Sequence, residues 1–169
     1  MMKHPTMTVL VTAVTLLAMS GFLSPAMALE EFFTGKLRGG NETPVTLSTA
    51  GSGIFDAQLD ASETSLTFFL VYSGLEGGTV VGAHIHLGQP GITGGIVIHF
   101  CGTGGKPACP ASPGTVSGTV TAADVVAVAA QGIGAGEFSE VVRALRKGDA
   151  YVNVHTTTYP GGEIRGQVQ

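Results

Sequence analysis

From residue 30 onward, apolar and polar residues alternate in short runs separated by glycine and proline. This is the period-two pattern of strands half buried in a sheet. Residues 30–39 (EEFFTGKLRG) read as a first strand, and residues 53–60 (GIFDAQLD) set Phe55, Ala57 and Leu59 against Ile54, Asp56, Gln58 and Asp60. A turn at residues 60–63 leads to residues 64–72 (TSLTFFLVY), and the two segments form an antiparallel hairpin. The unbroken apolar run from Phe68 to Val71 predicts a central strand covered on both faces. Strands at residues 80–87 (VVGAHIHL) and 95–100 (GIVIHF) flank a Gly/Pro turn, and residues 115–120 (TVSGTV) add a short one. Residues 149–156 (DAYVNVHT) and 163–169 (EIRGQVQ) close the chain around Pro160-Gly161-Gly162.

The period changes between these last two groups. Phe138, Val141, Val142 and Leu145 recur at helical spacing and end at Gly148, predicting a packing helix over residues 137–147. Thr121-Ala122-Ala123-Asp124 has the form of a capping box opening a short helical turn. About eight strands with one or two short helices make an all-β, antiparallel β-sandwich or barrel-like domain, with a small α+β fold as the alternative.

The first 28 residues follow another rule. A basic start at Lys3, an apolar run from Val9 to Met19 and the small-residue site Ala26-Met27-Ala28 form a secretory signal peptide cleaved after Ala28. The expected destination is the periplasm or the exterior, and a retained N-terminal anchor is the alternative. No later stretch is apolar enough to span a membrane. Residues 29–169 are one domain in length. Without Lys3 they carry 7 Lys+Arg against 12 Asp+Glu, a net charge of −5, so no basic surface recommends nucleic acid as a partner. The 26 glycines are scattered along the chain, which suits tight turns better than a linker.

Two cysteines and a group of histidines carry the candidate chemistry. Cys101 and Cys109 flank GTGGKPA. In an oxidising compartment they form a local disulfide worth roughly 2.5 kcal/mol, since a thiolate metal site or redox pair would need Cys-x-x-Cys spacing or further ligands. His84 and His86 lie two apart on one strand and therefore share a face, their roots roughly 6.6 Å apart. Two such imidazoles can close on one ion through bonds of about 2 Å. His155 shares its own strand face with Tyr151 and Asn153, and if the two strands are neighbours the three imidazoles converge. Glu163 is the candidate fourth ligand, or the carboxylate that orients a ligand from behind. The competing reading is that these histidines only hydrogen-bond within the sheet. His99, placed by alternation on the face of Val97, and Arg165 are accessory candidates. Glu163 and Arg165 share a face of the last strand, so they either pair as ions or line a binding surface.

Four runs stand in a fixed order: LRGGNETPV from Leu37, with Gly51-Ser52-Gly53 and Leu59-Asp60; AHIHLG from Ala83, with Gly91, Gly94 and Gly95; YVNVHT from Tyr151; and PGGEIRGQ from Pro160. In this order and spacing the chain resembles the CHRD domain family, found as repeats in animal chordin and as single domains in exported bacterial proteins. The resemblance implies an all-β extracytoplasmic module and supplies no reaction. His99 and the Cys-bounded segment after it depart from the common pattern. The His-x-His strand is also similar to that of copper-zinc superoxide dismutases, but the ligand-rich zinc loop of that family has no counterpart here, so dismutase activity is not implied.

Catalytic signatures are missing: there is no Gly-x-Ser-x-Gly elbow, phosphate-binding glycine loop or His-Glu-x-x-His. The expectation is an exported domain that binds copper or zinc. The alternative from another class is a non-catalytic module that binds a protein or surface polymer, and a metal-dependent enzyme would further need an open coordination position beside a cleft.

Overall fold

A computed structural model describes residues 1–2 and 30–169, so the expected leader and its cleavage site lie outside the described residues apart from Met1 and Met2. Eight strands form one antiparallel sheet: β1 (Glu31–Arg38), β2 (Ser52–Leu59), β3 (Ser65–Ser73), β4 (Val80–Leu87), β5 (Ile96–Cys101), β6 (Gly114–Thr121), β7 (Ala150–Thr156) and β8 (Ile164–Gln167). Their order across the sheet is β5-β4-β7-β8-β1-β2-β3-β6. The two ends curl toward each other. Ile98 on β5 bridges Val125, just beyond β6, and the Val126 N–H donates to Val97 O at 3.0 Å. The sheet is thus nearly a barrel, and its edges are largely removed from competition by other strands.

Strand alternation fills the interior. Phe55, Leu59, Leu66, Phe68 and Leu70 from one side meet Ile85, Ile98, Phe100, Val152, Val154 and Ile164 from the other. Phe100 stacks on Phe68 with ring centroids 4.1 Å apart and on Phe55 at 5.6 Å. One helix, α1 (Phe138–Lys147), lays Phe138, Val141, Val142 and Leu145 on the barrel and stops at Gly148, whose φ of 68° is the left-handed turn that glycine allows. The Thr121–Asp124 capping box opens one turn of 3₁₀ helix, the Asp124 carboxylate accepting the Thr121 N–H at 2.9 Å. Among the described residues no helix is long and apolar enough to cross a membrane.

Two expectations about faces need correction. The Phe68–Val71 run on β3 is not covered on both sides: Phe68 and Leu70 point inward, while Phe69 is 48 % exposed. β3 obeys ordinary alternation, and no second layer covers its outer side. His99 does not share the environment of Val97. The β4/β5 ladder pairs Ala83 with Cys101, His84 with His99, Ile85 with Ile98 and His86 with Ile96, so Phe100 and Val97 are skipped as bulges. Val97 joins the core, and His99 comes to lie beside His84.

Candidate metal centre

β4 and β7 are neighbours, and their register sets Gly82 opposite His155, His84 opposite Asn153 and His86 opposite Tyr151. Directly opposed residues share a face, so His84, His86 and His155 all leave the sheet on the side away from the core. This outer face is buried nonetheless: His84 is 4 % exposed, His86 7 % and His155 9 %. Loops close over it. Arg165, on β8 beside Asn153, is 2 % exposed and holds two of them, donating from Nη1 to Thr43 Oγ1 at 2.5 Å and from Nη2 to Ile92 O at 2.8 Å and Gln89 O at 3.2 Å. Its guanidinium carbon sits 3.4 Å from the centre of the Tyr151 ring, against which the His86 ring is stacked at 4.7 Å, tilted by only 8°.

The three imidazoles bring one nitrogen each to within 4.8 Å of one another. A tetrahedral ion with bonds of about 2 Å needs nitrogens about 3.3 Å apart, a closure of under ~1 Å per ring when two rings share it. The outward nitrogens are already tied down. His86 Nδ1 lies 2.9 Å from Gly94 O and His155 Nδ1 lies 2.9 Å from Pro160 O. A carbonyl only accepts, so both rings carry their hydrogen on Nδ1 and aim the Nε2 lone pair inward. His84 is turned the other way, with Nε2 placed 2.6 Å from Thr103 Oγ1 and Nδ1 facing the cluster. The buried His84 Nδ1 and His86 Nε2 have no hydrogen-bond partner among the described residues. His155 Nε2 meets the Asn153 side-chain amide, 2.9 Å from Oδ1. A half-turn of that amide presents its NH₂ group to the lone pair instead.

Burial keeps these rings neutral. It pushes His84 down to about 3 and His86 to about 4, with the other histidines adding to the effect, and it lowers His155 as well. Neutral imidazole is the form that ligates a metal. Three imidazoles with no carboxylate among them suit zinc or copper rather than magnesium or calcium, and they leave a coordination position open.

Glu163, expected as a fourth or orienting ligand, lies outside the cluster. It precedes β8, directly after Gly162 at φ 124°, and strand alternation does not reach back to it. Its Oε1 accepts from Thr49 Oγ1 and the Glu76 N–H, both at 2.7 Å, and its Oε2 from Thr156 Oγ1 at 2.8 Å and the Gly77 N–H at 3.0 Å. Burial raises a carboxyl's pKa, but these four donors outweigh it and hold Glu163 below the usual carboxylate range. It is a structural anion that pins residues 49 and 76–77 to the end of β7. No ion pair with Arg165 forms. Cys101 and Cys109 are joined as expected.

No local pattern of residues singles out Glu42. It is buried, its Oε1 has no partner among the described residues, and burial pushes its carboxyl up to about 7 against the pull of Arg165. Glu42 Oε1 and Asn153 Nδ2 both come within 3 Å of where a Cβ on Gly162 would sit, so this acid lies near the Asn153 amide.

Comparison with known proteins adds the lineage. No curated protein and no solved structure matches the chain. The family model for the CHRD domain matches residues 33–168. That span runs from β1 to just beyond β8 and takes in every residue of the cluster and its surroundings, so the chain belongs to the CHRD domain family.

Proposed function

We propose that this protein is an exported domain that binds one copper or zinc ion through His84, His86 and His155. The observation that carries the reading is the pair of buried, unpartnered ring nitrogens, His84 Nδ1 and His86 Nε2, aimed at a third imidazole while the far side of each ring is held. A buried polar atom without a partner costs on the order of 1–3 kcal/mol, and two facing one point are compensated by a ligand that accepts both lone pairs. Export is supported by the leader pattern of residues 1–28 and by the disulfide.

Titration of the purified metal-free protein with Cu²⁺ and Zn²⁺ against a chromophoric chelator tests this. One equivalent of either ion is expected to bind, Cu²⁺ the more tightly, and the His84→Ala/His86→Ala double variant is expected to lose it while keeping its far-ultraviolet circular dichroism. A parent that binds neither ion overturns the reading.

A second reading has its own observation. The outer side of β1–β2–β3 exposes Phe32 (69 %), Ile54 (52 %) and Phe69 (48 %), and a cavity of about 640 Å³ opens there between Phe32, Phe69 and Thr119. This favours a module that binds a protein or surface polymer. Loss of a partner in Phe32→Ser/Phe69→Ser with metal binding intact would assign the two activities to separate faces.

A further inference from the structure

Thr103 stands on the exposed segment that the Cys101–Cys109 disulfide closes. Its hydroxyl lies 2.6 Å from His84 Nε2 and 2.8 Å from His99 Nδ1, the two rings that the β4/β5 register places side by side. We infer that Thr103 is the positioning residue of the metal centre: it selects Nδ1 as the ligating nitrogen of His84, and the disulfide holds it there. This inference rests on the metal-binding reading proposed above.

A threonine hydroxyl has one hydrogen to give and two lone pairs. Between two neutral imidazole nitrogens it donates to one and accepts from the other. His99 is only partly buried and can keep its hydrogen on Nε2 toward solvent, so its Nδ1 accepts. His84 then carries its hydrogen on Nε2 and leaves a lone pair on Nδ1. The opposite arrangement buries an unpartnered Nδ1–H, and orphan N–H groups are rarer in proteins than orphan acceptors. The chain of donation runs from His84 Nε2–H to Thr103 Oγ1 and from Thr103 Oγ1–H to His99 Nδ1, and its direction decides whether His84 is a ligand.

Two glycines make room for it. A Cβ on Gly82 would stand 2.8 Å from His84 Cε1, and one on Gly104 would stand 2.5 Å from the His99 ring. An imidazole comes up against bare backbone at both places. The strands alone do not bring Thr103 to this point, since among residues 102–108 only Lys106 is even partly buried. The disulfide returns the segment to β5 and limits how far the hydroxyl can move. Groups that orient metal-bound histidines from behind commonly contribute 10–100-fold in affinity.

Thr103→Val and Thr103→Ser, with the Cys101→Ser/Cys109→Ser double variant, test the inference through two readouts. The first is the tautomer of His84 in the metal-free protein, read from long-range ¹H–¹⁵N correlations. The parent and Thr103→Ser are expected to carry the hydrogen on Nε2, while Thr103→Val shows a mixture or the Nδ1–H form. The second is Zn²⁺ affinity by chelator competition. Thr103→Val and the cysteine variant are expected to lose tenfold or more, and Thr103→Ser less than threefold. An unchanged His84 tautomer in Thr103→Val overturns the inference, whether or not the parent binds metal. Equal Zn²⁺ affinity in parent and Thr103→Val overturns it while leaving the metal centre standing. A parent without metal affinity but with the expected tautomer shift removes the metal centre and leaves Thr103 as an anchor of the sheet, which also overturns the positioning role.

Discussion

One sheet presents two outer faces of opposite character. Over β4, β7 and β8 the outer face is polar, carrying His84, His86, His155, Asn153 and Arg165, and it is buried under loops. Over β1, β2 and β3 it is apolar at Phe32, Ile54 and Phe69, and it is open. Hydrophobicity alone assigns burial the other way round. Loop length makes the difference. A tight turn joins β2 to β3, whereas the longer β1–β2 and β4–β5 connections, leaving at Gly39 and Gly88, fold back across β7 and β8. A covered polar face is costly unless its groups are paired, and here nearly all are. Among the described residues the exceptions, His84 Nδ1, His86 Nε2 and Glu42 Oε1, all lie on this face or in the loops over it.

Arg165 is what makes the covered face covered. Arg165→Ala removes its bonds to Thr43, Gln89 and Ile92 and its stack on Tyr151. The variant is expected to lose about 2–4 kcal/mol in urea denaturation, and amide exchange of residues 88–95 is expected to rise toward that of an open loop. Unchanged exchange there would mean that the loops hold themselves and the two faces differ for another reason.

Acid distinguishes the faces next. In the metal-free protein, His84 and His86 stay neutral down to about 3 and 4, while the unfolded chain takes up those protons near 6.5. The unfolded state therefore binds more protons through this window, and stability falls as pH drops from about 6.5 toward 4. Glu42 opposes this. It is protonated in the fold up to about 7 and in the unfolded chain only below about 4.5, so its contribution is full below 4.5 and lost as pH rises through 7. Among His84, His86 and Glu42 the balance near pH 5.5 is about one proton, or roughly 1.4 kcal/mol per pH unit, and the lowered His155 and His99 add to it in the same sense. Urea titrations across this range measure the slope, and Glu42→Gln, which removes the opposing group, is expected to steepen it by roughly one proton's worth, about 1 kcal/mol per pH unit. A slope of zero in both proteins would contradict a neutral, water-excluded histidine face.

The open face gives the smallest effect. Phe69→Ser changes a side chain that touches no covering layer, so stability should shift by no more than about 0.5 kcal/mol, with Zn²⁺ affinity unchanged. A larger loss would show that Phe69 is packed rather than displayed.

These contrasts mark what the amino-acid order makes legible. Period-two alternation places His84 and His86 on one face whatever else happens, and it carries β1, β2, β4, β7 and the core-facing Phe55, Leu59 and Leu70 to their observed roles. The helical repeat of Phe138, Val141, Val142 and Leu145 similarly gives α1. Convergence with His155 depends on β4 and β7 pairing, which is a matter of sheet order, and no local pattern encodes that. Alternation misleads at His99, because two bulges interrupt β5, and at Glu163, because it precedes the β7/β8 ladder, which begins at Ile164. It is silent about Thr103, which sits in irregular backbone, and about Glu42, whose burial is decided by loops folding over β7 and β8. The Phe68–Val71 run was ambiguous in principle, since a continuous apolar stretch marks either a doubly covered strand or a half-open one.

The arrangement of β4 beside β7 has a consequence in time. His84 and His86 belong to one strand, but His155 arrives only after β5, β6 and α1 have been placed and the last strands have been inserted between β4 and β1. Such non-local pairings form late, because chain closure must be completed before they are rewarded. A nascent or extended chain can offer an ion a His-x-His pair and no more. On the proposed metal-binding reading, selection of the ion would be postponed until folding is complete, and the ion acquired would be the one supplied where the chain finishes folding rather than where it is made.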